Sequence, residues 1–341
     1  MALTPRAAER VAREAAGQYF DPAARSLNAD WGTAYDGKQI QRWGEHFGWL
    51  LEDQREQERI ACRKGQRPEG PANAPELLVV GMDGGRVQER EKDPASQSRW
   101  REDKVLTVSS YRKGPPPEPG GDPEPVRLVT TYVGTMGASK TFGHLARVEA
   151  ERRGIRQAAE VVLMGDGAEW IDTVAGEHFG AHVRILDYYH VSERLTAVAK
   201  ALCGPEGPRQ KVLAERLKGQ LYQGKLPLLL RYLTRQAQTL GPPRTSDPEG
   251  HPRRVVAENL AYLERHREQM DYPRYRAQGW PIGSGVTESG VKLFNKRVKG
   301  TEQFWSHEGV EAMLCLRALW LSNDGRWDHY WLYGRLPRAA A

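Results

Sequence analysis

Over the first 70 residues the apolar positions recur three and four apart. Asp36 followed by Gln39 is a capping-box pattern, and Ile40, Trp43, Phe47, Leu50 and Leu51 then mark one face of a long amphipathic helix. With the shorter segment before Gly32, residues 1–70 read as an N-terminal helical segment. Both a helix-turn-helix and a plain helical hairpin packing on the core fit that pattern.

From Glu76 the period changes. LLVVGMD is a short apolar run ending in an acid, and KVLTVSSY and VRLVTTYV are β-rich runs separated by the Pro/Gly-rich GPPPEPGGDPEP. Three such runs joined by turns predict an antiparallel meander. A helix follows from about Ser139 to Arg153, then the strand AEVVLMGD, a helix after Ala168 and the strand HVRILDYY. The expected fold is α/β, an RNase H-like mixed five-stranded sheet flanked by helices, with 76–203 as its first part.

Residues 204–279 break this alternation with the helical runs QKVLAERLKGQLYQ, LPLLLRYLTRQAQTL and VVAENLAYLERHREQM. They read as an all-helical insertion before the last part of the core, 280–335. That part carries helices at about Val286–Lys299 and Glu308–Leu321.

Composition narrows the class. A chain of 341 residues with 39% apolar residues is long enough for a sizeable core. Cys62, Cys203 and Cys315 lie too far apart for a zinc or disulfide framework, which fits a reducing cytoplasm. No apolar run approaches the roughly 20 residues that span a bilayer, and the N-terminus lacks an apolar signal core, so no membrane partner is expected. The net charge of +6 permits a polyanionic partner. Between Ser289 and Gly300 the chain has Lys292, Lys296, Arg297 and Lys299 and no acid, directly after Glu288. Charge alone leaves a solvated helix face equally open.

Asp83 and Asp166 each end an apolar run, where an ionised carboxylate is costly unless it meets a cation. Asp-Gly is also a common turn signal, so either acid alone says little. In an RNase H-like sheet the first and fourth strands are neighbours, which would bring the two together. Glu288 opens the helix that would cover them. At about 100° per residue Glu288, Lys292, Asn295 and Lys299 share one face beside the apolar stripe Val291, Phe294 and Val298. Three carboxylates suit Mg²⁺, with Mn²⁺ as a substitute, and Lys292, Asn295, Lys296 and Lys299 are the candidate DNA-binding residues. Asp187 and His190 in LDYYHVSERL lie close to where Asp166 should emerge. His190 is a candidate accessory group at the scissile phosphate, or a structural cap. Trp280 and Trp305 read as packed aromatics, with base stacking as the alternative.

The stretches VVGMDGGR, VVLMGDGAEWI, ILDYYHVSERL, PIGSGVTESGVKLFNKRVKG and WSHEGVEAMLCLRALWLSNDGRWDHYW, in that order, resemble the DDE-type transposases of bacterial insertion sequences, most closely the Kra-type group. The resemblance implies that Asp83, Asp166 and Glu288 are the three catalytic acids and metal ligands. It also implies metal-dependent cleavage and strand transfer at transposon ends, and a dimer or larger assembly on DNA. Members of the group usually have a longer N-terminal region with cysteine clusters. Here about 75 residues without one precede the first acid, which fits a chain shortened at that end.

Two other classes stay in view. Gly134–Thr141, GTMGASKT, is one residue from a phosphate-binding P-loop, with Ser139 where that loop needs glycine; this is the basis of a P-loop ATPase reading. The other is a non-catalytic DNA-binding protein derived from a transposase, for which loss of an acid would be the sign, and all three acids are present.

Overall fold

The computed structural model describes residues 3–204, 207–300 and 303–334. Residues 1–2 of the expected N-terminal segment, 205–206 of the expected insertion, and 301–302 and 335 of the expected last core segment lie outside the described residues. Three helices come first: α1 (Pro5–Gly17), α2 (Phe20–Trp31) and α3 (Gly37–Arg63), the last opened by the Asp36–Gln39 capping box. The face α3 buries holds Ile40, Gly44, Gly48 and Leu51, while Leu50 is 49% exposed.

The sheet is built from β1 (Leu77–Gln88), β2 (Trp100–Lys113), β3 (Pro125–Thr135), β4 (Glu160–Gly165) and β5 (Val183–Leu186). Its strand order is β3-β2-β1-β4-β5, with β1–β2 and β2–β3 antiparallel and β1–β4 and β4–β5 parallel. Helix α4 (Ser139–Arg152) links β3 to β4, and α5 (Glu169–His178) links β4 to β5. This is the expected RNase H-like sheet. β1 differs from the expected short run: it continues through Asp83-Gly84-Gly85 to Gln88, so this Asp-Gly pair lies inside a strand and forms no turn. The expected last strand is shorter than HVRILDYY, because Asp187 already caps the next helix.

That helix, α6 (Tyr188–Cys203), leads into α7 (Pro208–Tyr222), α8 (Leu226–Leu240), α9 (Pro252–Arg265) and α10 (Tyr272–Ala277). The chain then returns through α11 (Gly285–Val298), α12 (His307–Leu321) and α13 (Arg326–Tyr333). No helix of the described residues is long and apolar enough to cross a membrane.

Period-two alternation divides β1 between cores. Leu78, Val80 and Met82 face α4 and α5, together with Leu106, Val108, Leu163, Phe142 and Ile171. On the other face Leu77 and Val79 join α6 and the helices after it, whereas Val87 joins a cluster formed by α11, α12 and the N-terminal helices. Between those two clusters the same face of β1 carries Gly81, Asp83 and Gly85, and at this seam the first acid stands. The N-terminal helices share the second of these cores: α3 comes so close to α12 that a Cβ at Gly48 would lie 2.2 Å from the Ala312 carbonyl oxygen.

Candidate active site

Parallel register aligns the acids. β1 pairs with β4 from Leu77↔Glu160 to Gly81↔Met164, and two residues further along each chain stand Asp83 and Asp166. β4 pairs with β5 up to Gly165↔Leu186, so Asp166 and Asp187 follow at the next step. Val162, Met164 and Ile185 point into the same core as Leu77 and Val79, so alternation puts all three aspartates on one face. The three aspartates thus stand in a row, within or at the ends of neighbouring strands whose backbones lie roughly 5 Å apart.

Glu288 comes down on this row from α11. The helix approaches the sheet closely because glycines make room: a Cβ at Gly81 would lie 1.9 Å from Thr287 Oγ1, and one at Gly134 would lie 2.8 Å from the Phe294 ring. A buried Thr107–Thr287 hydroxyl contact of 2.8 Å fixes the first turn of α11 over β2. Asp83, Asp166, Asp187, His190, Glu193, Ser284 and Glu288 line one cavity of about 150 Å³.

Several hydrogen bonds hold these groups. Asp83 Oδ1 accepts from the Gly84 amide at 2.7 Å, and Asp166 Oδ1 accepts from the Ala168 amide at 2.9 Å as the chain turns into α5. The Tyr262 hydroxyl donates to the Asp166 carbonyl at 2.6 Å, and Gly167 makes that turn at φ +83°. Asp187 accepts from the Tyr189 amide at 2.8 Å and from the Ser284 hydroxyl, which also lies 3.3 Å from Glu288 Oε1. His190 Nε2 accepts from Arg194 Nε at 3.2 Å, and the Arg194 guanidinium covers the Tyr262 ring at 3.8 Å. His190 therefore sits in the cavity wall, oriented by an arginine.

Burial pushes the Asp83 carboxyl up to about 6, opposed by the Gly84 amide and reinforced by the negative charges of Asp166, Glu288 and Asp187. Burial likewise holds Tyr262 at about 12. Five carboxylates, Asp83, Asp166, Asp187, Glu193 and Glu288, line so small a cavity and repel one another, and an anionic phosphodiester would not enter unless cations offset them. The donors are all oxygens, which matches Mg²⁺ chemistry. Among the described residues no three His, Cys, Asp or Glu side chains are gathered tightly enough to hold one ion. Mg²⁺ does not require this, since it keeps several waters and uses one or two carboxylates with substrate phosphates.

The cationic residues of α11 diverge. Lys292 Nζ is 3.6 Å from Glu288 Oε2 at the cavity rim. Lys296 is exposed, whereas Asn295 is half-buried, with its Oδ1 lacking a partner. Lys299 lies eleven residues past Glu288, roughly 16 Å along the helix, with its ammonium 5.1 Å from the Trp100 ring. Arg297 corrects the charge-run reading. It is 1% exposed, donates to the Ala15 carbonyl at 2.7 Å and lies over Phe20, and burial lowers it to about 9.

Trp280 and Trp305 are buried, as packed aromatics; Trp305 Nε1 donates to the Val298 carbonyl at 2.8 Å. The P-loop reading fails on geometry. Gly134 and Thr135 end β3, an edge strand in an antiparallel pair, and Glu311 already occupies the loop, accepting from the Met136 amide at 2.6 Å and the Thr135 hydroxyl at 2.7 Å. Sequence reasoning gave no role to Ser284 or Tyr262 and no metal role to Asp187. The spacing of Ser284 and Glu288, one helical turn, was the available signal for the first.

No family model matches the chain, and no curated protein matches it. Among solved structures it is similar to a Drosophila P element transposase strand transfer complex, at 10% identity over 94% of this chain and 92% of that one, with a TM-score of 0.42.

Proposed function

We propose that the chain is a DDE-type DNA transposase, most like the Kra-type insertion-sequence enzymes, acting on DNA at transposon ends with Mg²⁺ as cofactor. The observation that supports this reading is the cavity shared by Asp83, Asp166 and Glu288, which are 83 and 122 residues apart in sequence and arrive from three different elements. In the proposed reaction water attacks a backbone phosphorus and the bond to the 3′ oxygen breaks, freeing a 3′-hydroxyl. That hydroxyl then attacks a target phosphodiester and releases a target 3′-hydroxyl. Divalent ions, when bound, supply activation of the attacking oxygen and charge neutralisation at the leaving oxygen.

The residues of the chain do the positioning. Asp83, Asp166 and Glu288 are the proposed ligands, with Asp187 beside them. Ser284 ties Asp187 to Glu288, which sets the glutamate's direction across the gap between sheet and α11. Lys292 reaches from the rim toward a backbone phosphate, and His190, held by Arg194, faces the same space. Synapsis of two ends calls for a dimer or larger assembly.

The test is nicking of labelled duplexes carrying the element's ends, with Mg²⁺ or Mn²⁺, by the wild type and Asp166→Asn. Metal-dependent cuts lost in the variant support the proposal. Tight end binding without cleavage points instead to a non-catalytic binder derived from a transposase, and absence of both binding and cleavage contradicts the reading.

A further inference from the structure

A second charged cavity lies away from the carboxylates. It measures about 440 Å³ and is lined by Arg59, Arg63 and Arg67 from α3 and its exit, by His144 and Arg147 of α4, and by His178 at the end of α5. α5 starts three residues beyond Asp166, and its ten residues carry the chain roughly 15 Å from that acid. The two cavities share no residue.

The charge here is unbalanced. Arg59 pairs with Glu56 at 2.5 Å, while Arg147 and Arg156 share Glu151, which Arg67 approaches at 4.0 Å. Arg63 is exposed and has no ion-pair partner among the described residues. With Glu177 also counted in the lining, guanidinium groups still outnumber carboxylates. Clustered arginines without matching acids repel one another, and a group with several acceptor oxygens relieves that repulsion. A second observation points the same way. His178 lies edge-on to His144 with ring centroids 4.6 Å apart, and its buried Nε2 has no hydrogen-bond partner, the Glu177 carboxylate standing 3.8 Å away. The His144 ring is held below its usual range by burial and then by the positive charges of Arg63, Arg59 and Lys140.

We propose that this cavity is a phosphate-binding site, taking either a DNA backbone phosphate or a free phosphate compound. Arg63 supplies unpaired donors and Arg67, held among the described residues only by its 4.0 Å contact with Glu151, supplies more, while the rings of His144 and His178 line the cavity beside them. The proposal stands apart from the transposase reading, because it uses none of the carboxylate cavity.

Binding is measured in EDTA. The affinity of a labelled duplex of unrelated sequence is followed across a salt series for the wild type, Arg63→Ala/Arg67→Ala and Arg63→Glu. In parallel, thermal stabilisation by millimolar pyrophosphate and AMP is recorded for each. A fall of about one to two in the slope of log K against log salt assigns the site to DNA backbone. An unchanged slope with loss of the pyrophosphate or AMP stabilisation assigns it to a free phosphate compound. The charge-retaining Arg63→Lys/Arg67→Lys variant keeps whichever response the wild type shows. If slope and stabilisation are both unchanged in the alanine pair and in Arg63→Glu, the proposal is overturned. Arg63→Glu alters one exposed, unpaired side chain and so keeps the test open if the double variant does not fold.

Discussion

Placing an alanine at Gly81 is the sharpest perturbation of the way α11 is held over the acids. The new Cβ would lie 1.9 Å from Thr287 Oγ1 and 2.7 Å from Thr107 Oγ1, separations that real atoms do not tolerate. The clash falls on a buried hydroxyl pair, so the strain is relieved by lifting the first turn of α11, and Glu288 moves with it. Overpacking of this kind costs about 1–3 kcal/mol, and loss of the Thr107–Thr287 contact adds about 1 kcal/mol. Thr287→Ala alone costs about 1–3 kcal/mol, because the Thr107 hydroxyl loses its partner. In Gly81→Ala/Thr287→Ala the 1.9 Å clash is gone; what remains is Thr107 Oγ1 at 2.7 Å, a hydroxyl released from its partner and able to rotate away, and the Cβ of residue 287 at 3.2 Å. The double variant is therefore more stable than the sum of the single effects by about 1–2 kcal/mol, within the range for residues in contact. A shift of about 1 Å in Glu288 should lower cleavage on the order of a hundredfold in Gly81→Ala, with partial recovery in the double variant. Urea unfolding of the four proteins gives the cycle. Additive effects, within about 0.5 kcal/mol, would refute the docking argument.

Three further outcomes follow from particular contacts. Ser284→Ala unties Asp187 from Glu288 and should reduce cleavage or metal affinity about 10–100-fold while the melting temperature changes little; unchanged kinetics would remove Ser284 from the site. Asp103 is fully buried with neither oxygen in a well-formed hydrogen bond, and burial, opposed by its own backbone amide and reinforced by Glu102 and Asp83, raises its carboxyl to about 6. Its unfolded carboxyl releases the proton near 3.9, so its contribution to stability is complete below that pH and lost as pH rises toward 6. The loss is on the order of 3 kcal/mol, and Asp83, also raised to about 6, adds a slope of the same sign, so Asp103→Asn should reduce the fall in stability between pH 4 and 7 without abolishing it, and an identical pH slope in urea melts would contradict this. Arg326 pairs with Glu149 at 2.6 Å and Asp324 at 2.8 Å in a buried network joining α4 and α13; Arg326→Met leaves those acids short of a partner and should cost about 3–5 kcal/mol, measured by the same melts.

Much of the architecture was legible because its signals are local. Period-two runs and their separators gave five strands in order, and the helical runs from residue 204 onward gave the helical stretch, although they leave out α6 before it. The meeting of Asp83 with Asp166 required only that the first and fourth strands be neighbours, and the observed register offset of 83 residues equals their separation in sequence. What escaped depends on contacts between distant segments. Gly84 and Gly85 resemble a turn in sequence, yet β2 continues to pair with β1 beyond them, and pairing overrides the local signal. Leu50 fits the apolar spacing of α3 but is exposed, because at about 100° per residue it points away from the face of Ile40, Gly44, Gly48 and Leu51 that the rest of the fold covers. Arg297 looked like part of a DNA-facing charge run. Its burial against Ala15 of α1 and Phe20 of α2 is a contact between opposite ends of the chain that no spacing rule shows.

The central claim is that Asp83, Asp166 and Glu288 act as one metal site. Electron paramagnetic resonance of free Mn²⁺, titrated into the wild type and into Asp83→Asn, Asp166→Asn and Glu288→Gln, tests it without any DNA. The account predicts that the wild type depletes the free signal and that each single substitution weakens binding at least tenfold. Equal Mn²⁺ depletion by all four proteins, or no depletion by the wild type, would contradict it.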